Sequence, residues 1–365
     1  MLENKKIHRA VKSIETRTVK TNTDEKTKYS LGLTLLNLGA TGNPDFGAFG
    51  GTIVNYVGAS GVGKTLFILT ALADIVNTPG FDDVDIYYND AERASRFNIA
   101  RIFGEKLENK IKAPRIVDGI PSYSTTVEEF KDDIFKLCAQ GRRFVYVQDS
   151  LDALTCDAEI AKSEEDMAKR EKGKEVSGTY GAEKAKMMSS LFRQVTSKLS
   201  DSDSLLIVIS QVRDKMNAGP YESKDMVTGG RALEFFSSTR IRLARKERIK
   251  VELHGHDRII GNTIKTTVTK NKSTGKESEF FINNYYSYGA DEVGSNIDYL
   301  LYEKIWTKTK GIIDTKGFIS EPVKESEIIK IIEDSSAQQQ LKELVHKTWI
   351  DIEEKLKVDR KPRWS

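Results

Sequence analysis

Eight consecutive residues constrain this chain more tightly than any other feature. Gly58, Ala59, Ser60, Gly61, Val62, Gly63, Lys64 and Thr65 fit the pattern G-x-x-x-x-G-K-[ST]. In front of them, Gly51-Thr-Ile-Val-Asn-Tyr-Val57 has the β-branched content of a buried strand, and behind them Leu66 to Val76 is patterned as a helix. Strand, glycine loop and helix in that order make a phosphate cradle. The glycines let the backbone turn its N–H groups inward, and the helix N-terminus adds a positive field. In such a loop Lys64 reaches the β- and γ-phosphates and the Thr65 hydroxyl ligates Mg²⁺, so ATP and Mg²⁺ are the expected cofactors.

The rest of the chain must then supply a sheet around that loop. Ile86-Tyr-Tyr88, Phe144-Val-Tyr-Val147, Leu205-Leu-Ile-Val-Ile209 and Thr239-Arg-Ile-Arg-Leu243 read as strands, with helical patterns at Val127 to Ala139 and Ala182 to Leu199. This alternation predicts an α/β fold with a mostly parallel central sheet covered on both faces. Asp149 closes the strand at Phe144 to Val147. A carboxylate at that strand end suits the Mg²⁺ shell, although a lone strand-end Asp is more often a cap or turn residue. Two polar segments, Glu159 to Gly181 and Arg213 to Met226, interrupt the pattern as long loops, the second carrying the turn signal Asn217-Ala-Gly-Pro220.

The ends differ from the centre. Leu2, Ile7, Ala10, Val11 and Ile14 recur at near-helical spacing, which predicts a short N-terminal helical arm within residues 1–29. Residues 30–290 form the expected ATPase core. From about Val293, helix-like stretches at Ile297 to Lys308, Glu325 to Glu333 and Gln338 to Leu356 predict a small C-terminal α+β domain over residues 291–365 with a basic tail. With 38% hydrophobic and 30% charged residues and no run of about 18 apolar positions, a soluble protein with no membrane partner is expected. The first ten residues lack the apolar stretch of a secretory signal. Cys138 and Cys156 offer neither a disulfide framework nor metal-ligand spacing, which suits a reducing cytoplasm. The net charge of +3 does not by itself identify a nucleic-acid partner. Residues 1–30 hold eight Lys/Arg against four Asp/Glu, a distribution that suits phosphate contact or simply a solvated face.

Beyond the phosphate loop, a series of short segments follows in a characteristic order. Asp90-Ala-Glu92 comes after the second strand and Gln148-Asp-Ser-Leu-Asp-Ala-Leu154 spans the end of the third. Ser210-Gln-Val-Arg213 ends the fourth, followed by Thr228-Gly-Gly-Arg-Ala-Leu-Glu-Phe235 and Thr269-Lys-Asn-Lys272. In this order they resemble the RecA recombinase family, bacterial and phage-encoded, from about Tyr29 to Trp349. The resemblance implies a RecA-like core and a DNA-dependent ATPase that forms head-to-tail helical filaments on single-stranded DNA and pairs it with homologous double-stranded DNA in a bacterial cell. It implies Glu92 as the general base, Gln211 as the γ-phosphate sensor, and Lys270 and Lys272 as cations reaching the neighbouring subunit's nucleotide. The segments 159–181 and 213–226 would be the two DNA-binding loops, with DNA contacts from Lys186, Arg193, Arg213, Lys215 and Met216, and Thr228, Gly229 and Gly230 turning the second loop back into a helix. Phe235 and the Ile7, Val11, Ile14 face would form the subunit interface. The family's adenine-stacking aromatic falls on Ile99, with Phe97 two residues earlier. A hexameric helicase of the same fold and a non-catalytic regulatory filament are the competing expectations.

Overall fold

The computed structural model describes residues 26–93, 97–172, 182–214, 225–227 and 230–361. Strand β1 is Thr52–Gly58, helix α1 Lys64–Asn77, β2 Asp85–Asp90, α2 Val127–Ala139 and β3 Phe144–Asp149. Helices α3, Asp157–Glu171, and α4, Ala182–Ser202, precede β4, Leu205–Asp214, and α5, Gly230–Phe236. A long antiparallel ribbon follows, β5 Thr239–Leu253, β6 His256–Asn271 and β7 Ser278–Tyr285. Helices α6, Glu292–Tyr302, α7, Glu325–Asp334, and α8, Gln338–Lys355, are the last helices among the described residues.

These strands build a 10-stranded sheet in the order β7-β6-β5-β1-β4-β3-β2, extended by short strands at Gly289–Ala290 beside β7, at Ile111–Lys112 beside β2 and at Asp225–Val227 beside the end of β4. The pairs from β5 to β2 are parallel, as expected from the alternation of strands and helices. The β5-β6-β7 end is antiparallel, because these strands follow one another through short turns with no crossover helix.

Alternate residues of the parallel strands feed two cores. Val54, Tyr56, Val145, Val147 and Ile207 pack with α1 on one face. Ile53, Phe144, Tyr146, Leu206 and Val208 pack with Phe130 and Ile134 of α2 and Phe192 and Val195 of α4 on the other. Each fully buried aromatic or branched side chain contributes about 1.5–3 kcal/mol. Val293, Ile297 and Leu300 of α6 and Val345 of α8 join the first core, so the C-terminal helices lie directly on the antiparallel end of the sheet.

Several expectations need correction. Residues 159–181 are not simply a loop, because α3 occupies Asp157–Glu171. Its polarity hid it, yet it has acidic residues in the first turn, Lys169 and Arg170 in the last, and a Glu165–Lys169 ion pair at 2.7 Å. The segment 213–226 is likewise paired at both ends, with Asp225–Val227 antiparallel to Val212–Asp214. The helix expected at 297–308 stops at Tyr302, and Thr307–Thr309 opens a small three-stranded sheet. The N-terminal arm with Ile7, Val11 and Ile14 lies outside the described residues, as do Lys215, Met216, Thr228 and Gly229. Among the described residues no helix is long and apolar enough to cross a membrane.

Candidate nucleotide site

The carboxyl ends of β1, β4, β3 and β2 converge, with Gly58 opposite Gln211 and Asp90 opposite Asp149 in the sheet register. The phosphate loop leaves β1 and enters α1 through Gly63, whose φ of 104° only glycine adopts easily. A side chain there would also strike Asn284, 2.3 Å from the ideal Cβ position. Around the loop lies a cavity of about 310 Å³, lined among others by Gly61, Gly63, Lys64, Thr65, Glu92, Asp149 and Gln211. Five residues singled out in the sequence for chemistry (Lys64, Thr65, Glu92, Asp149 and Gln211) therefore share one site. Gly58, Ala59, Ser60 and Val62 complete the loop's turn.

The polar groups are held in place before any ligand is considered. Lys64 Nζ donates to the carbonyls of Gly58 and Ala59, both at 2.8 Å. Burial pushes its ammonium pKa down, and the carboxylates of Asp149, Asp152 and Glu92 push back. The Thr65 hydroxyl donates to Asp149 Oδ2 at 3.1 Å, and the Tyr88 hydroxyl donates to the same oxygen at 2.5 Å. Burial raises the Asp149 carboxyl, and these two hydrogen bonds oppose that shift. Gln211 Nε2 donates to Glu92 Oε1 at 2.9 Å, and the Ser150 hydroxyl donates to the same oxygen. The Gln211 backbone N–H donates to Asp152 Oδ2 at 2.8 Å. Among the described residues no group of three or more His, Cys, Asp or Glu could hold a metal alone. Thr65 and Asp149 offer only hard oxygens, a donor set that fits Mg²⁺ bound largely through a nucleotide's own phosphates.

Other sequence-derived residues fall elsewhere. Lys270 donates from Nζ to the carbonyls of Glu234 and Phe235 at the end of α5, the second at 2.8 Å. It pairs in register with Arg240, which is opposite Asn55 of β1, so both Lys270 and Lys272 lie toward the far end of the sheet from the phosphate loop. Burial lowers the Lys270 ammonium pKa, and Lys272 lowers it further. Lys186 and Arg193 are exposed on α4, Arg213 lies in β4, and Gly230 begins α5. Phe235 is 70% exposed. Ile99, the position to which the resemblance assigned the adenine contact, is partly buried against the core, while Phe97 lines the cavity. Sequence reasoning missed Tyr88, Asn262, Asn284 and Tyr286. The last three reach the cavity from the antiparallel ribbon, and Asn262 Nδ2 donates to the Tyr286 hydroxyl at 3.1 Å.

A parallel α/β sheet with a glycine loop, a lysine and a threonine at its carboxyl edge defines a nucleotide-binding protein of the phosphate-loop class. The profile of the RecA N-terminal domain matches residues 8–291. The chain therefore belongs to the RecA family. It is 32% identical over 272 residues to Protein RecA of Helicobacter hepaticus, covering 74% of this chain and 68% of that protein. It is 29% identical over 288 residues to Protein RecA of Caulobacter vibrioides, covering 79% and 69%, and 31% identical over 273 residues to that of Wolinella succinogenes, covering 74% and 67%.

Proposed function

We propose that this protein is an ATP-dependent recombinase that assembles on single-stranded DNA and pairs it with a homologous duplex. The observation that carries this reading is the meeting of Lys64, Thr65, Asp149, Glu92 and Gln211 around one cavity, in the chain order that the family resemblance assigned to phosphate binding, base and sensor. Lys64 exchanges its bonds to Gly58 and Ala59 for phosphate oxygens. Thr65 and Asp149 would hold Mg²⁺, which when bound would offset the charge of the phosphates. Glu92 orients a water and takes its proton, and Gln211, bonded to the same carboxylate, links that event to β4 and the DNA segment beyond it. Phe97 and Tyr286 line the same cavity and are the aromatic groups there that could stack on a base.

Filament assembly rests on the position of Lys270 and Lys272, which lie toward the far end of the sheet from their own phosphate loop, and on exposed apolar groups. Phe235 is one. Ile116, Val117 and Ile120, on the hairpin Arg115–Val117/Ile120–Ser122, are others. Such a surface suits a head-to-tail neighbour, including the arm bearing Ile7, Val11 and Ile14. The test is phosphate release with and without single-stranded DNA, together with negative-stain imaging. DNA-stimulated release and helical filaments are expected, and Lys64→Ala abolishes both. Rings in place of filaments favour a hexameric motor, and turnover unaffected by Lys64→Ala overturns the site.

A further inference from the structure

The sheet register sets two amides side by side in the protein interior. Asn89 of β2 and Gln148 of β3 are direct cross-strand partners, and neither is exposed. Leaving an amide buried without a partner is costly, so such a pair persists only where its bonds are made. Here they form a directed series. The Ser124 backbone N–H donates to Asn89 Oδ1 at 2.7 Å, and Asn89 Nδ2 donates to the Ser124 carbonyl at 3.2 Å and to Gln148 Oε1 at 2.9 Å. Gln148 Nε2 donates to the Ser150 carbonyl at 3.3 Å. The Ser150 hydroxyl then donates to Glu92 Oε1, the oxygen that also receives Gln211. Neither amide lines the nucleotide cavity. They stand one register step behind the Asp90–Asp149 pair, where a strand becomes the floor of the site.

We infer that Asn89 and Gln148 are positioning residues for ATP hydrolysis. They anchor the Ser150 backbone to the loop before α2, and Ser150 in turn fixes the carboxylate of Glu92. The inference rests on the assignment of Glu92 as the base. A purely structural amide pair would matter for folding alone, whereas a positioning pair acts on the chemical step while leaving nucleotide binding intact.

The experiment uses the full chain with single-stranded DNA. It compares Gln148→Met, which removes the bond to Ser150 but leaves Asn89 paired with Ser124, and Ser150→Ala, which removes only a hydroxyl. Both are also made in a Glu92→Gln background. Readouts are steady-state and single-turnover phosphate release, affinity for a fluorescent ATP analogue, and thermal melting. Gln148→Met is expected to lower kcat by about 10- to 100-fold, the scale of a sub-ångström to 1 Å displacement, with nucleotide affinity within about twofold of wild type. Ser150→Ala reproduces the loss, and neither change lowers the rate of Glu92→Gln further. A folded Gln148→Met with wild-type kcat overturns the inference, as does a loss that multiplies in full on Glu92→Gln. If Gln148→Met does not fold, wild-type kcat in Ser150→Ala is equally decisive against it. Should Glu92→Gln itself turn over at the wild-type rate, the base assignment fails. A slow Glu92→Gln beside wild-type Gln148→Met overturns only the role of the amides.

Discussion

Replacing Lys270 and Lys272 together with alanine tests whether this protein completes its site with a second copy of itself. Lys270 is level with Asn55, three residues short of Gly58, and two strands away from β1. With a rise of about 3.3 Å per residue and a strand spacing of about 4.8 Å, its backbone lies roughly 14 Å from the start of its own phosphate loop. That gap exceeds the reach of a lysine side chain, whose ammonium moreover rests on carbonyls of α5. The double variant should therefore bind nucleotide normally yet fail to hydrolyse it. Lys64→Ala should fail for the complementary reason. In a random equal mixture, about a quarter of head-to-tail interfaces join an intact loop to intact lysines. The assay is DNA-dependent phosphate release from the mixture, with co-assembly checked by labelling each variant. Activity should return up to about that fraction, less any loss from coupling along the filament. If both variants co-assemble on DNA and no activity returns, the lysines do not act across the interface.

Glu92→Gln should retain ATP binding and slow phosphate release by about 10²- to 10⁴-fold, leaving persistent filaments visible by electron microscopy. Affinity for single-stranded DNA should fall steeply with salt and vary little with base sequence, as a series of fluorescence-anisotropy titrations will show. Gly63→Ala, forced to hold a left-handed backbone, should destabilise the chain by about 1–3 kcal/mol in denaturant unfolding and weaken nucleotide binding measured by calorimetry. Phe192→Ala, which empties a fully buried position between α4 and the sheet, should cost about 3–5 kcal/mol in the same unfolding assay without altering the affinity of the folded protein for nucleotide.

Much of the architecture was legible because the residues that build it act locally. Helix α2 begins and ends where its pattern does, since Thr126 and Glu129 form a capping box at its start. The phosphate loop was equally plain, because its glycines, lysine and threonine are consecutive. Polar helix α3 was not, as charge pairs rather than an apolar stripe support it. The partners of the carboxylates in the candidate site were hidden for another reason. Alternation along a strand identifies its faces but not its neighbour, so nothing in the local sequence sets Asn89 against Gln148 or brings the Tyr88 hydroxyl to Asp149. Asn284 and Tyr286 come from a ribbon more remote still, which reaches the loop only through the completed sheet.

The position of β1 has a consequence for how the molecule comes into being. Its two neighbours in the sheet are β4 and β5, supplied by residues 205–211 and 239–243. Until those segments have left the ribosome, the strand that carries the phosphate loop has no partner on either edge, while β2 and β3 can already pair with each other. Closing such distant contacts is slow, and an unpaired apolar strand is exposed to wrong partners in the interval. The phosphate loop is therefore expected to gain its flanking strands only after about residue 243 has been made, and a nucleotide bound there would stabilise the finished sheet over its incomplete precursors.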